Sequence, residues 1–521
     1  MSAVSAASQP RGGLVINRWW QLVAAVVAMM AIANLQYAWT LFTNPLVAHF
    51  FPDATTPAAK LVALAQISAA FSGFVLAETW LVPFEGALVD KFGQRAIVMV
   101  GGVLVGIGWI GSGLAPSVQA LVIAYIIGGV GGGCVYGSCV GHALKWFPDH
   151  RGLCAGLVAG AYGIGTALTV IPIDNMIKSS GYATTFITWG VIQGIVVLIA
   201  GLFIVSPPHG WLPAGFDPES SAVKQTGIDM HVGQMLKQPS FWMMYFMMTL
   251  MAFTGLVITA QINPIATFYK VDKTVIALGL TAIVLAIQID RILNGVTRPF
   301  WGWVSDHIGR EKTMAIAFGL EALAIIGLIT FARDPVLFVL FSAFTFFGWG
   351  EIYSLMPATS GDFFGRKFAT ANYGFLYTAK GTASVFVPIG SALAAGKAFD
   401  FRADILLLLG GLAVFFTMFV GPRLLHLSLS LTTRQVLYTI GGVLVVYGLL
   451  LTVVPDVWTP FAAGFNVPNI GWVGVFAIAA IFDVCAALIA FFVLRRMEVP
   501  QGGEQPAVGP GLVPAVAGAA E

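Results

Sequence analysis

The chain has 521 residues, of which 58% are hydrophobic and only 10% are charged, a balance that soluble domains of this length do not show. The formal net charge of +2 comes from cations placed beside apolar runs, which excludes a basic patch of the kind that binds nucleic acid. Apolar runs of about 20 residues, long enough to cross a bilayer as helices, recur along the whole chain. We count 14 such runs and predict an all-α polytopic membrane protein.

The first span is predicted to begin at Arg18, after a short tail of residues 1–17. It continues into the polar stretch NLQYAWTLF, and no small-residue cleavage site follows it, which favours a retained span over a cleaved signal. Residues 18–205 are predicted to form an N-terminal half. Residues 206–239, rich in Pro, Gly and Ser, are the one long polar interruption between spans and are interpreted as a linker.

Lysine and arginine are distributed unevenly between the loops on the two sides of the membrane. Most of the 26 fall on one side, together with both ends of the chain and the linker. Because cytoplasmic loops carry an excess of these residues, that side should be the cytoplasm. We therefore predict a multi-pass protein of the inner (plasma) membrane with both termini cytoplasmic. Residues 498–521, rich in Gly, Pro and Ala, are predicted to be a disordered tail.

An internal repeat relates the two parts of the chain. PFEGALVDKFG from Pro83 and PFWGWVSDHIG from Pro299, 216 residues apart, share the pattern P-F-x-G-x-x-x-D-x-x-G. The same offset aligns RGLCAGLVAGAYGIG from Arg151 with KFATANYGFLYTAKG from Lys367. The repeat predicts two duplicated halves of six helices, the second within residues 240–497, as many secondary transporters are built.

The repeated pattern falls on two short loops, predicted to join helices 2 and 3 and helices 8 and 9. Asp90 and Arg95 belong to the first loop, and Asp306 and Arg310 belong to the second. The glycines permit a tight turn, while the charges suit helix ends and a network that a rocking motion would break. We interpret these four residues as gating residues. The alternative, loops that only anchor topology, explains one copy well and the matched pair poorly.

At these loops the sequence resembles the major facilitator superfamily, and within it the oxalate:formate antiporter family. The motifs that carry the resemblance are NRWWQLV, LQYAWTLF, VYGSCVGHALKWFPDHRGL, RPFWGWVSDHIGREKTM, FFGWGEIYSLMPAT and NYGFLYTAKGTAS. The resemblance implies a major facilitator fold whose last helix is GWVGVFAIAAIFDVCAALIAFFVLRRM. Two further apolar runs, at about 404–455, would then be an extra helix pair inserted between helices 11 and 12, giving 14 spans. We expect that pair to pack outside the bundle or to form an oligomer contact.

Two cations lie near mid-membrane in the second half. Arg298 precedes Asp306 by eight residues, or about 12 Å of helix, and Lys380 follows Lys367 by thirteen residues, or about 20 Å. Each costs about 2.5–3.5 kcal/mol to insert, so both should face a protein-lined cavity. We expect them to lack an acidic partner within the chain and to bind a small carboxylate, since an arginine fork and a lysine point charge suit a dicarboxylate or two successive monocarboxylates. The alternatives are snorkelling and an internal ion pair.

The family resemblance implies that the same arginine and lysine bind the carboxylates of the substrate. It also implies a surrounding cage of aromatic and amide side chains: Gln36, Tyr37, Tyr136, Tyr162, Trp349, Tyr353 and Tyr377. Rings would shape a narrow slot, and hydroxyl groups would donate to carboxylate oxygens. Taken singly, each aromatic residue also fits ordinary packing or the interfacial belt. The family's oxalate carrier has tryptophan at the position of Tyr377, so the slot here would differ in shape or polarity.

Other ionisable side chains fall within predicted spans where that carrier is uncharged: Glu78, Asp290, Arg291 and Glu351. They fit internal ion pairs, with Arg291 neutralised by Asp290 or by a carboxylate on another helix. Alternatively, Glu78 or Glu351 could carry a proton in symport. Glu85 and Glu321 are weaker candidates for either role. The four cysteines all fall in apolar runs and are interpreted as packing residues.

The predicted function is exchange of small carboxylates, oxalate for formate, by alternating access of the two halves. No G-x-x-x-x-G-K-[ST] motif occurs, so a gradient or the counter-substrate would drive transport. The expected partners are carboxylate anions and membrane lipid, with no nucleic acid, no cofactor, no metal and a monomer by default.

Two alternative functions remain open at this point. One is proton-coupled uptake of a monocarboxylate of the pyruvate or lactate type. The other, from a different class, is a membrane-embedded enzyme or a sensor. Against an enzyme, no His-Glu or Cys-His set with ligand spacing falls within one span. Against a sensor, no segment is long enough to fold as a soluble signalling domain.

Overall fold

The computed structural model describes residues 17–147, 149–208, 211, 213, 229–365, 368–395 and 470–497. The predicted extra helix pair at about 404–455 lies outside the described residues. The predicted tails do too, except for Asn17.

Long helices build the first half of the structure. They are α1 (Arg18–Tyr37), α2 (Trp39–Phe50), α3 (Pro57–Phe92), α4 (Gln94–Gly113), α5 (Val118–Trp146), α6 (Arg151–Ile164) and α7 (Val170–Phe203), with a 3-10 turn at Gly165–Leu168. Side-chain caps mark several starts, since Asn17, Thr56 and Ser117 each accept a backbone N–H of the first turn. Gly181, at φ +81°, divides α7 into two helical segments, because only glycine adopts that backbone without strain.

The second half repeats this construction after a short helix in the linker. Its elements are α8 (Val232–Met235), α9 (Pro239–Tyr269), β1 (Val275–Ala277), β2 (Leu280–Thr281), α10 (Ala282–Ile308), α11 (Arg310–Phe331), α12 (Pro335–Trp349), α13 (Ile352–Phe364), α14 (Ala369–Ser384), α15 (Phe386–Ala395) and α16 (Gly471–Leu488). A π turn at Ile489–Val493 and a 3-10 turn at Leu494–Arg496 extend α16.

The all-helical prediction is wrong at one place. β1 and β2 pair antiparallel as a hairpin between α9 and α10. Its turn uses Leu278 at φ +54° and Gly279 at φ +73°, two successive left-handed residues of the kind that close tight hairpins. Leu278 is 92% exposed at the tip. The pairing is so short that the sequence gives no period-2 pattern from which to predict it.

Nine helical segments within the described ranges are long and apolar enough to cross a membrane. One of them, Gly156–Phe203, is 48 residues long and contains the break at Gly181. α10 is not among the nine, because Asp290, Arg291 and Arg298 interrupt its apolar run. The prediction of 14 spans depends on residues outside the described ranges and stays a prediction.

Helices of the two halves meet closely through glycine. α6 crosses α10 where a Cβ on Gly163 would lie only 2.9 Å from the Cα of Gly295. α3 crosses α14 where a Cβ on Gly381 would overlap the side chain of Thr79. Small residues at such crossings let backbones approach. Lys380 and Glu78, the neighbours of Gly381 and Thr79 along the chain, are thereby brought together at the centre of the bundle.

A set of hydrogen bonds joins the halves between the level of Glu78 and the end of the bundle where α2 and α9 finish. The pairs are Asn263 N to Thr40 Oγ1 at 3.0 Å, Asn44 Nδ2 to Thr267 Oγ1 at 3.1 Å, Gln261 Nε2 to Ser68 Oγ at 2.6 Å, and Ser72 Oγ to Ser384 O at 2.6 Å. By the charge distribution this end is the predicted external side. The bonds therefore close the bundle there, and the central side chains described below are buried.

Candidate functional site

Lys380 on α14 lies at the centre of a buried polar cluster. Its Nζ donates to Gln36 Oε1 at 2.7 Å, to Glu78 Oε2 at 3.0 Å and to the Tyr377 hydroxyl at 3.1 Å. Lys380 is 1% exposed and Glu78 is not exposed at all. The expectation that Lys380 lacks an acidic partner is therefore wrong. Glu78 pairs with it because the glycine crossing sets the middle of α3 directly against α14.

The second oxygen of Glu78 is also occupied. Tyr162 on α6 donates its hydroxyl proton to Glu78 Oε1 at 2.6 Å, and its oxygen lies 3.0 Å from Gln36 Oε1. Since a tyrosine has one hydroxyl proton, we assign it to the shorter contact, that with Glu78. The network thus connects α1, α3 and α6 of the first half to α14 of the second half. Any separation of the halves at this level must break it.

Arg298 on α10 differs from Lys380 in its partners. Its Nε donates to Asn294 O at 3.1 Å, and its Nη1 donates to Ala159 O on α6 at 2.6 Å. The guanidinium lies 4.7 Å from the ring centre of Tyr353, and the residue is only 2% exposed. In the described part of the chain no carboxylate pairs with it. Its charge is therefore held by backbone carbonyls, a ring and the Asn294 side chain, whose Oδ1 accepts from Nη2 at 3.4 Å. Arg298 is thus a buried cation without its own counter-ion among the described residues.

Both cations flank the same ring. Lys380 Nζ is 5.8 Å from the centre of the Tyr353 ring, on which Arg298 also packs. The remaining predicted aromatic residues continue from there as a chain of contacts between ring centres: Trp349–Tyr353 at 5.3 Å, Tyr353–Tyr377 at 6.1 Å, Tyr136–Tyr377 at 5.2 Å, Tyr136–Tyr162 at 5.5 Å and Tyr37–Tyr162 at 5.3 Å. The structure thus brings all nine residues of the predicted substrate site together. We call these nine residues the cage.

The cage carries unused hydrogen-bond donors. Tyr353 OH, Trp349 Nε1 and Gln36 Nε2 are buried and have no hydrogen-bond partner within the described residues. Buried polar groups are nearly always satisfied, so such donors indicate a missing acceptor. Carboxylate oxygens accept from hydroxyl, indole and amide N–H groups alike. The arrangement can therefore bind a small anion.

Arg291, seven residues before Arg298 on α10, is held without an ion pair. Its guanidinium lies 4.6 Å from the ring centre of Tyr37 and 4.4 Å from that of Phe346, and none of its three nitrogens has a hydrogen-bond partner among the described residues. Asp290 instead accepts from Ser342 Oγ at 2.8 Å. Asp290 interacts electrostatically with Arg291 but forms no salt bridge with it, so the described residues show the attraction that was expected without a direct contact. Successive residues on a helix point in different directions, and cation–π contacts take the place of the pair.

A cluster of buried carboxyl side chains lies in the second half and does not belong to the cage. Glu351 and Glu321 are fully buried, and neither has a partner for either carboxylate oxygen among the described residues. Asp483 on α16 accepts from Thr254 Oγ1 at 2.7 Å and, like Glu351, lies close enough to Glu321 to interact with it electrostatically. From the sequence, Glu321 was a weaker candidate for an ion pair or a proton carrier, and Asp483 was not identified as a candidate. The available signal was a lone carboxylate within an otherwise apolar run.

The predicted gating residues fall at the ends of helices. Arg310 donates to Asp306 at 2.7 Å and to Asp362 at 3.2 Å, so it connects the loop between α10 and α11 to the end of α13. Arg95 Nε donates to Ile204 O at 3.0 Å. Asp90 lies in the last turn of α3, which ends at Phe92, and its side chain lies outside the described residues. The second loop thus carries an ionic network, while the described part of the first has a cation bound to a backbone carbonyl.

Comparison with known sequences identifies the family. The sequence model described as Major Facilitator Superfamily matches residues 21–388 and 257–435. The oxalate:formate antiporter of Oxalobacter formigenes is 36% identical over 419 residues, covering 79% of this chain and 93% of the relative. The uncharacterized MFS-type transporter YhjX of Escherichia coli strain K12 is 24% identical, covering 71% of this chain and 86% of the relative.

Comparison with solved structures agrees on the fold. A bacterial homologue of the human lysosomal transporter Spinster, inward-facing and occupied, gives a TM-score of 0.60 at 14% identity, covering 93% of this chain and 98% of that one. The xylose transporter XylE from E. coli, partially occluded and inward open, gives 0.57 at 13% identity, covering 91% and 97%. Identities this low speak for the fold alone. Taken with the sequence matches, they mean that the chain has a major facilitator fold and belongs to the oxalate:formate antiporter family of the major facilitator superfamily.

Proposed function

We propose that this protein is a secondary transporter that exchanges small carboxylates, oxalate for formate, by alternating access of its two halves. The observation that carries the proposal is Arg298: a buried guanidinium with no acidic partner among the described residues, facing the same tyrosine ring as Lys380. A buried cation is costly, so its retention at the centre of the bundle favours binding of an anion from outside the chain. The antiporter from Oxalobacter formigenes supports the substrate pair.

The cage residues have distinct roles in this proposal. Arg298 offers two parallel N–H donors to one carboxylate, as a guanidinium fork does. Lys380 provides the point charge for the second carboxylate of oxalate. Tyr353, Trp349 and Gln36 supply the donors that have no partner within the described residues. Tyr37, Tyr136 and Tyr162 close the slot from the side of the first half, and Tyr377 closes it from α14.

The topology belongs to the same proposal. Residues 18–205 and 240–497 form the two halves, joined by the linker 206–239, with an extra pair at about 404–455 that brings the number of spans to 14. Both termini lie in the cytoplasm of a cell whose plasma membrane holds the protein, and a monomer suffices because the cage is built within one chain. In the described end of the linker, the N–H of Met230 donates to Phe364 O at 2.9 Å, which attaches this residue to α13.

Counterflow in proteoliposomes tests the exchange. Purified protein is reconstituted into vesicles loaded with ¹⁴C-oxalate, and loss of label is followed after dilution. We expect efflux when external oxalate or formate is present and almost none in buffer without either anion. Protein-free vesicles control for leakage. Efflux that follows a pH step and ignores formate would contradict exchange.

A proton-coupled monocarboxylate transporter is the second candidate, and the pairing of Glu78 with Lys380 at 3.0 Å favours it. An internal carboxylate leaves the cage with less positive charge than two free cations would. In the same vesicles, pyruvate or lactate accumulation driven by an inwardly directed proton gradient, without any counter-anion, would support this alternative over exchange.

A further inference from the structure

We propose that Glu78 makes the cage accept one net negative charge, so that a monoanion binds alone whereas a dianion binds together with one proton, taken up by Glu78. This inference rests on the proposed function, because it concerns the same substrates and the same site. In this inference, oxalate is transported together with one proton, and formate is transported without one.

The position of Glu78 supports this role. Both of its oxygens are used inside the cage, one by Lys380 at 3.0 Å and one by the Tyr162 hydroxyl at 2.6 Å. The residue is completely buried, so its charge is compensated by these neighbours rather than by water. It is also the one carboxylate among the described residues that forms a salt bridge with a cage cation.

Glu78 is surrounded by groups that already carry their protons. The titratable residues that interact with it from the packed helices are Tyr37 of α1, Tyr136 of α5, Tyr162 of α6, and Tyr377 and Lys380 of α14. Tyrosine hydroxyl groups and a lysine ammonium group are donors with no vacant site for a further proton on the charged nitrogen. The Glu78 carboxylate is therefore the group of this set that can accept a proton when the local charge becomes more negative.

The formal charges of the site explain why oxalate binds with a proton and formate does not. Arg298 and Lys380 contribute two positive charges and Glu78 contributes one negative charge, so the cage and Glu78 together carry one net positive charge. Arg291 and Asp290, adjacent on α10 and also buried, have opposite formal charges and leave this sum unchanged. Formate brings one negative charge and neutralises the net positive charge. Oxalate brings two, which would leave an uncompensated negative charge in a site shielded from water, a costly state. Protonation of Glu78 removes that excess and frees Lys380 for the second carboxylate.

Oxalate and one proton enter the cage, the Glu78 carboxylate becomes a carboxylic acid, and its ion pair with Lys380 is replaced by an ion pair between Lys380 and oxalate. Release of oxalate returns the proton and restores the original pair. Exchange of oxalate plus a proton for formate then moves no net charge, whereas exchange without the proton would move one charge per cycle.

Proton uptake on binding tests the inference without any substitution. Oxalate or formate is added to purified protein at neutral pH in weak buffer with a pH indicator, and bound ligand is measured in parallel. We expect about one proton taken up per oxalate and none per formate. Because one proton binds with each oxalate, the affinity for oxalate should fall about tenfold for each unit by which the pH rises. Neither ligand takes up protons itself, since carboxyl groups titrate ordinarily near pH 4.

Two matched variants locate the proton. Glu78→Gln should bind oxalate with no proton uptake and should make oxalate–formate exchange sensitive to membrane potential. Glu321→Gln neutralises an equally buried carboxylate that does not contact the cage residues Lys380 or Tyr162. This variant should retain proton uptake on oxalate binding. Binding of both ligands to the unmodified protein without proton uptake, or unchanged uptake in Glu78→Gln, would overturn this inference alone. Failure of either ligand to bind would overturn the proposed function as well.

Discussion

Replacement of Arg298 by glutamine should reduce oxalate exchange by at least about 100-fold. A guanidinium bound to a carboxylate through two N–H donors gains about 1.5–3 kcal/mol from each charge-assisted hydrogen bond, and each 1.4 kcal/mol is about a factor of ten in affinity. Loss of both donors therefore lowers the affinity for oxalate by at least about two orders of magnitude. The measurement is initial efflux of ¹⁴C-oxalate from proteoliposomes with external formate.

The same substitution should leave the fold intact. Arg298 has no carboxylate partner in the described structure, so glutamine leaves no buried negative charge behind and removes the cost of a buried positive one. Elution as a single peak in detergent and an unchanged unfolding temperature would show this. Arg298→Lys keeps the charge but loses the planar fork and should retain only part of the activity. Arg495→Gln, at an exposed site on the turn after α16, is the matched control and should transport normally. Normal exchange by Arg298→Gln would contradict the assigned role.

Replacement of Lys380 by methionine should abolish exchange and also destabilise the protein. Unlike Arg298, Lys380 is paired, and its removal leaves the carboxylate of Glu78 buried and without a counter-ion. Breaking a buried pair from one side costs about 3–5 kcal/mol. The unfolding temperature of Lys380→Met, measured in detergent by tryptophan fluorescence, should therefore be clearly lower than that of the unmodified protein.

The double variant Lys380→Met with Glu78→Gln separates stability from function. It removes both charges, so most of the lost stability should return while transport stays absent, because no point charge remains for the substrate. Coupling of this kind is what a double-mutant cycle measures. Additive losses of stability in the double variant would mean that the 3.0 Å pair does not persist in the folded protein in the membrane.

The fold was predictable because its signals are long and repeated. Apolar runs of bilayer length define the helices, and the matched loops from Pro83 and Pro299 identify the duplication. The hairpin at β1 and β2 was not predictable, because each strand is too short to show a period. The break at Gly181 was also hidden, since glycine is frequent throughout the chain, with 60 copies.

The composition of the cage was predictable for two reasons. Intramembrane charges are rare and therefore marked Arg298 and Lys380. The tyrosines and Gln36 followed from the family resemblance, and their helical spacing placed Trp349 with Tyr353 and Tyr377 with Lys380 on shared faces.

The pairing inside the cage was not predictable. Glu78 and Lys380 are 302 residues apart, and one sequence does not say which face of α3 meets α14. The same limit applies to Arg291, whose guanidinium packs on rings of α1 and α12.

A structure of the protein with oxalate bound tests most directly whether the cage is the transport site. We expect oxalate beside Tyr353, with one carboxylate about 2.7–2.9 Å from the guanidinium nitrogens of Arg298 and the other at Lys380, which has left Glu78. Oxalate bound elsewhere, with Arg298 still donating only to Ala159 and Asn294 and with Lys380 still paired to Glu78, would contradict the assignment of this site.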